Sequence, residues 1–110
     1  MTKQALIANL RSQCGGPRDG ALLRYALGDA LLDSGDAVAA AEELRHALRL
    51  DARYSAAWKL LGKACLAMDD RAAAAAAWRQ GRAVALERGD KQAEKEMAVF
   101  LRRVERDPLE

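Results

Sequence analysis

The 110-residue sequence predicts an all-α protein built from antiparallel helix pairs, and three observations carry that expectation. Only six residues are β-branched (Thr2, Ile7, Val38, Val84, Val99, Val104), whereas Ala, Leu, Arg, Glu and Lys dominate, so nearly every segment prefers helix to strand. A Leu-Gly phrase occurs twice, 34 residues apart: Leu27-Gly28-Asp29-Ala30-Leu31-Leu32 is matched without a gap by Leu61-Gly62-Lys63-Ala64-Cys65-Leu66. Breaks at Gly35-Asp36, Asp69-Asp70 and Gly89-Asp90 divide the chain into segments of helical length: Gly35-Asp36 and Gly89-Asp90 each end one helix and offer an Asp cap to the next, and Asp69-Asp70 turns the chain between its neighbours.

The elements follow in order. Residues 2–13 carry Leu6, Ile7 and Leu10 on one side and form a short amphipathic helix that stops at Cys14-Gly15-Gly16-Pro17. Asp19 is the expected N-cap of the next helix, residues 19–34. Its partner, residues 37–50, has an apolar stripe at Ala37, Ala40, Ala41, Leu44, Ala47 and Leu48, with Glu42 and Arg45 as an outer-side ion pair. A second pair spans residues 55–68 and 71–87. A last helix, 91–105, aligns Ala93, Met97, Phe100, Leu101 and Val104 on one face, and Pro108 ends it.

Overlaying residues 21–54 on 55–88 gives nine identities, of which four are Ala and carry little weight in a chain with 25 Ala. The weight rests on Leu27/Leu61, Gly28/Gly62, Leu32/Leu66, Asp36/Asp70 and Arg45/Arg79. Glycine inside a helix costs roughly 1 kcal/mol relative to Ala, so Gly28 and Gly62 need a tertiary reason. Close approach of the partner helix supplies one, with Ala40, Ala74, Ala47 and Gly81 as the small residues facing them and Leu27, Leu31, Leu44, Leu61, Cys65 and Trp78 filling the space alongside.

Several function classes are excluded at this level. The chain is one domain, long enough for a modest core and too short for a core plus a deep catalytic cleft. Its 18 basic and 16 acidic residues are interspersed, giving no basic arm, so neither nucleic acid nor an anionic membrane is implied as a partner. No apolar run approaches a membrane span and the N-terminus lacks a signal-peptide block, so the default location is the cytoplasm, where Cys14 and Cys65 read as reduced thiols. His46 is the single histidine and has no nearby Ser, Cys or Asp partner, so no catalytic residue, metal site or cofactor site is expected.

The phrase from Trp58 to Cys65 reads W-x2-L-G-x2-C, and with its echo 34 residues earlier it resembles the opening of the tetratricopeptide repeat. Two such units fit at residues 21–54 and 55–88, with residues 2–13 flanking and 89–106 as a C-terminal capping helix, so that 1–110 is a single helical-repeat domain. The chain departs from the family pattern in three ways: Arg24 stands where Trp58 stands, Ala52 and Leu86 replace the usual proline, and Cys65 replaces the usual tyrosine.

The resemblance implies an α-α superhelix that acts as a non-catalytic scaffold, binding a peptide or helix of another protein in the groove lined by the first helix of each pair. The groove positions it implies are Leu22, Tyr25, Asp29, Leu32 and Asp33 from the first unit, with Ala56, Lys59, Lys63 and Leu66 from the second. In the functional reading, Lys59 and Lys63 grip an acidic group while Tyr25 and the leucines take an apolar side chain. In the bland reading, Asp29 and Asp33 neutralise those lysines in surface pairs of about 0–1 kcal/mol. The subclass that clamps a chain-terminal carboxylate with Lys and Asn is disfavoured, because Asn9 is the only asparagine. Two rivals remain: self-association through the last helix, where Val99 widens the apolar side beside Met97 and Phe100, and nucleic-acid binding through Arg45, Arg49, Arg79 and Arg82, against which Glu42 and Glu43 argue.

Overall fold

A computed structural model describes residues 1–106, which form six helices and no strand. They are α1 (Lys3–Ser12), α2 (Ala21–Asp33), α3 (Ala37–Leu50), α4 (Ser55–Ala67), α5 (Arg71–Arg88) and α6 (Lys91–Glu105). The expected end at Pro108 lies outside the described residues.

The turns are made locally, by one device used three times. After α2 the amide of Asp36 donates to Leu31 O at 2.9 Å and that of Gly35 to Leu32 O at 3.0 Å. After α4 the amides of Asp70 and Asp69 donate to Cys65 O and Leu66 O, both at 2.9 Å, and after α5 Asp90 and Gly89 repeat the pattern to Ala85 O and Leu86 O. Each closure needs a left-handed residue, and φ is +94° at Gly35, +72° at Gly89 and +61° at Asp69. The residue that follows is always Asp, whose carboxylate accepts from the amide of Ala39, Ala73 or Ala93 in the first turn of the next helix. One dipeptide thus ends one helix and starts the next, which fixes a short antiparallel turn.

The expected cap at Asp19 is not made. The N-cap of α2 is Gly20, with no side-chain bond, while Asp19 accepts from the Gly15 amide at 2.8 Å and holds Arg24 in a two-point pair at 2.9 and 2.8 Å. Arg24 also reaches Glu43 on α3 at 2.9 Å. A guanidinium that makes two bonds competes better for a carboxylate than a backbone amide does, since the pair is charge-assisted on both sides. The pairing holds the Asp19 carboxyl well below the usual carboxylate range, and the Gly15 amide pushes it the same way. Arg24 therefore clips the 15–19 loop to both helices of the first pair, at the place where the second pair has Trp58.

Packing runs in chain order: α2 on α3, α4 on α5 and α5 on α6, with α3 against α4 joining the pairs and α1 resting on α2 alone. Leu27, Leu44, Cys65 and Met97 are the largest fully buried side chains. The stripe on α3 is buried from Ala40 to Leu48, and α6 buries Ala93, Met97, Leu101 and Val104. In α1 only Ile7 is buried and Leu6 remains 41% exposed, which leaves that helix the least anchored. Gly28 and Gly62 do sit at close approaches, but the side chains facing them are the large ones. A Cβ at Gly28 would stand 2.7 Å from Leu44 Cγ, and one at Gly62 would lie inside the Trp78 indole. Gly81 faces Met97 Sδ and Trp58 Cβ instead of Gly62. The glycines are notches for Leu44 and Trp78, and Ala40, Ala47 and Ala74 are buried beside them without being their principal partners.

Candidate functional site

Helices α2 and α4 touch each other, as do α4 and α6, whereas α3 and α5 do not. The first helices of the pairs therefore converge, and α2, α4 and α6 form the inner face of the curved molecule. The repeat-forming segments place polar and half-buried side chains there because their Leu-Gly sides are taken up by α3 and α5.

Along α2, Leu22 stands 71% exposed, Asp29 is exposed and Leu32 is half-buried against the core. Tyr25 stacks on Tyr54 with ring centroids 4.9 Å apart at 30°. Burial and then the Asp29 charge push the Tyr25 hydroxyl above its usual value, so it is a neutral donor at physiological pH. Asp33 pairs with Lys3 of α1 at 3.3 Å. On α4, Ala56 is half-buried and Leu66 is 42% exposed.

The two lysines part company. Lys59 pairs with Glu96 of α6 at 3.3 Å, so neither Asp29 nor Asp33 neutralises it across the groove. Lys63 takes part in no ion pair among the described residues and lies over the Phe100 ring, its Nζ 5.3 Å from the centroid. The Lys59 carbonyl accepts from Trp78 Nε1 at 3.0 Å, and Trp78 in turn packs on Phe100, centroids 5.3 Å apart. Lys63, Phe100 and the edge of Trp78 thus form one layered cluster at the junction of α4, α5 and α6.

That cluster walls a cavity of about 340 Å³, completed by Leu66, Arg71, Arg103 and Val104. Arg71 donates to the Val104 and Arg106 carbonyls at 2.5 and 2.9 Å, closing the C-terminal end of α6. Glu96, Phe100, Arg71 and Arg103 are absent from the groove positions that the repeat pattern implies. Phe100 carried a signal all the same, standing on the apolar side of a helix placed just where a third first-helix would come.

The outer face differs. Arg79 pairs with Glu105, and Arg82 with Glu94 at 2.7 Å, so two of the four outer arginines are committed to holding α6. The expected Glu42–Arg45 pair is not formed, because Arg45 turns to donate to Cys65 Sγ at 3.7 Å. Arg45 and Arg49 border a cleft of about 450 Å³ floored by Leu48, Trp58 and Leu61. Trp58 donates Nε1–H to Ala52 O at 2.9 Å. Cys65 is fully buried, and burial pushes its thiol up, which leaves it a protonated packing group. Among the described residues no group of three His, Cys, Asp or Glu side chains gathers where it could hold a metal ion. No helix among them is long and apolar enough to cross a membrane.

Stacked helix-turn-helix pairs closed by a sixth helix, with an open inner face carrying half-exposed aromatic, leucine and lysine side chains, define the class of α-helical repeat proteins. No family model matches the chain. It is 52% identical over 101 residues to TPR repeat-containing protein PA0015 of Pseudomonas aeruginosa, a match that spans 92% of this chain and 96% of that protein. The solution structure of protein BPP2914 from Bordetella parapertussis superposes with a TM-score of 0.76 at 42% identity, over 94% of this chain and 87% of that one. The chain belongs to the tetratricopeptide-repeat family.

Proposed function

We propose that the protein is a non-catalytic interaction scaffold of the cytoplasm, with units at residues 21–54 and 55–88 and α6 as the cap, and that it binds a peptide or helix of another protein along the inner face of α2, α4 and α6. The observation that carries this reading is the row of side chains on that face that neither the core nor an ion pair takes up: Leu22 and Leu66 stand 71% and 42% exposed, and Lys63 is exposed without an ion pair among the described residues. Exposed leucines beside a half-buried tyrosine are the composition of a binding surface, where aromatic and apolar anchors supply most of the energy. The cytoplasmic assignment rests on the two unpaired cysteines.

Self-association through α6 has less support, because Met97, Leu101 and Val104 are buried within the chain and leave Ala98, Val99 and Phe100 half-covered. Nucleic-acid binding loses Arg79 and Arg82 to ion pairs. The test is affinity capture from extract of the source cell with the wild type, a Leu22→Ser/Lys63→Glu variant and an Arg45→Glu/Arg49→Glu variant. A protein retained by the wild type and the outer-face variant but lost by the inner-face variant bears the proposal out. Retention by the inner-face variant, with loss from the outer-face one, contradicts it.

A further inference from the structure

We infer that the cavity between α4 and α6 is the specificity pocket of the groove, and that it takes a bulky apolar side chain flanked by Asp or Glu in an internal segment of a partner protein. The inference rests on the groove reading above and names the chemistry of its ligand. Two features of the cavity argue for it together.

The first is its lining. Of the surfaces that face the cavity, Leu66, Phe100 and Val104 present carbon, and the Trp78 edge closes the floor. A cavity of about 340 Å³ falls at the lower end of ligand pockets and has room for a Leu or Phe side chain. The second is its rim, where Lys63, Arg71 and Arg103 supply three cations from three different helices. None of the six ion pairs among the described residues includes any of them. The carboxylates on α6 are turned elsewhere, Glu96 to Lys59, Glu105 to Arg79 and Glu94 to Arg82. Among the described residues Arg71 donates to carbonyls alone, which neutralise no formal charge and leave its other guanidinium donors for a carboxylate. Three like charges around an apolar floor repel one another and are relieved by an anion, so the pocket is complementary to a side chain with acidic neighbours.

The outer cleft at Arg45, Arg49 and Trp58 has a similar composition but a weaker case, since Arg45 is drawn to Cys65 and the described lining of the cleft holds two cations where the inner pocket has three. It serves as the control.

The probe is a random dodecapeptide library displayed as amino-terminal fusions on phage, which offers internal segments without a free carboxyl terminus. Selection on the wild-type protein is expected to enrich Leu, Phe or Trp with Asp or Glu on either side. Synthetic copies of the selected peptides, read by fluorescence anisotropy, are expected to bind a Lys63→Glu/Arg103→Glu variant at least about tenfold more weakly, and an Arg45→Glu/Arg49→Glu variant unchanged. Raising the salt is expected to weaken binding to the wild type. Lys63 and Arg103 are exposed, so the variant is expected to keep the wild-type circular dichroism, which is measured alongside. Enriched peptides without acidic residues, or acidic peptides that bind the double variant undiminished, overturn the inference. Peptides whose binding is lost in a Leu22→Ser/Tyr25→Ala variant but not in Lys63→Glu/Arg103→Glu overturn the pocket and leave the groove standing. A selection that enriches nothing counts against both.

Discussion

Substituting Gly62 by Ala sets helix propensity against packing, and the structure decides which wins. Gly62 lies inside α4, where Ala is favoured by about 1 kcal/mol because it restricts the unfolded chain and shields the helix backbone. The added methyl, however, would overlap the indole of Trp78, a residue 2% exposed whose ring is held by its bond to Lys59 O and by Phe100. Overpacking of this kind costs about 1–3 kcal/mol. Displacing the ring also strains the Trp78 Nε1–H bond to Lys59 O, 3.0 Å long, and a buried donor left unpaired adds about 1–3 kcal/mol. The net expectation is a loss of about 1–5 kcal/mol, or a melting temperature lower by roughly 4 °C or more. Urea unfolding followed by tryptophan fluorescence measures it. A Trp78→Leu background sharpens the test, because leucine lacks the indole donor and fills the equivalent place in the first pair as Leu44. Gly62→Ala is expected to cost less there, giving a coupling between the sites. Gly62→Ala at least as stable as the wild type would refute the notch.

Three further outcomes follow from the caps and ion pairs. The Asp19 carboxyl sits below its ordinary value of 3.8, so its contribution is fully present above that pH and is lost as the pH falls through the lowered folded-state value; Asp19→Asn is expected to lower the melting temperature at pH 7 and to remove part of the wild type's fall below about pH 4. Asp69, left-handed at φ +61° where the first pair has Gly35, is expected to stabilise the protein by roughly 0.5–1 kcal/mol when replaced by Gly, and a lower urea midpoint for Asp69→Gly would contradict the strain. Lys59→Glu faces Glu96 and is expected to cost about 1 kcal/mol, with Lys59→Glu/Glu96→Lys recovering most of it; no recovery in urea midpoints would mean that the pair at 3.3 Å is incidental.

What could be read from the sequence divides along physical lines. Helix positions and the three turns were legible, two of them with their Asp caps, because a cap, a glycine break and a stripe are local, decided within a few residues by backbone geometry; the Asp70 cap and the left-handed Asp69 came from the structure. Asp19 looked like a further cap and is not, since Arg24, five residues on, offers it a charged partner. Gly28 and Gly62 announced a close approach but not its partner, because the register of one helix on another depends on how Leu44 and Trp78 fit, not on spacing alone. Lys59 and Lys63 looked equivalent on α4 and were separated by a residue 37 positions away, Glu96, which removes one lysine from the groove. The pocket was the least legible feature, being assembled from α4, α5 and α6, and Arg103 taken alone had only the look of a helix-end charge.

The face that meets the partner distinguishes the inner groove from the outer arginine cleft. Backbone amide shift mapping of the labelled protein, titrated with a peptide selected on the wild type, reads that face residue by residue. The largest changes are predicted along α2, α4 and α6, centred on Lys63, Leu66, Phe100 and Arg103. Changes concentrated on α3 and α5 around Arg45 and Arg49, with the inner face silent, would contradict it.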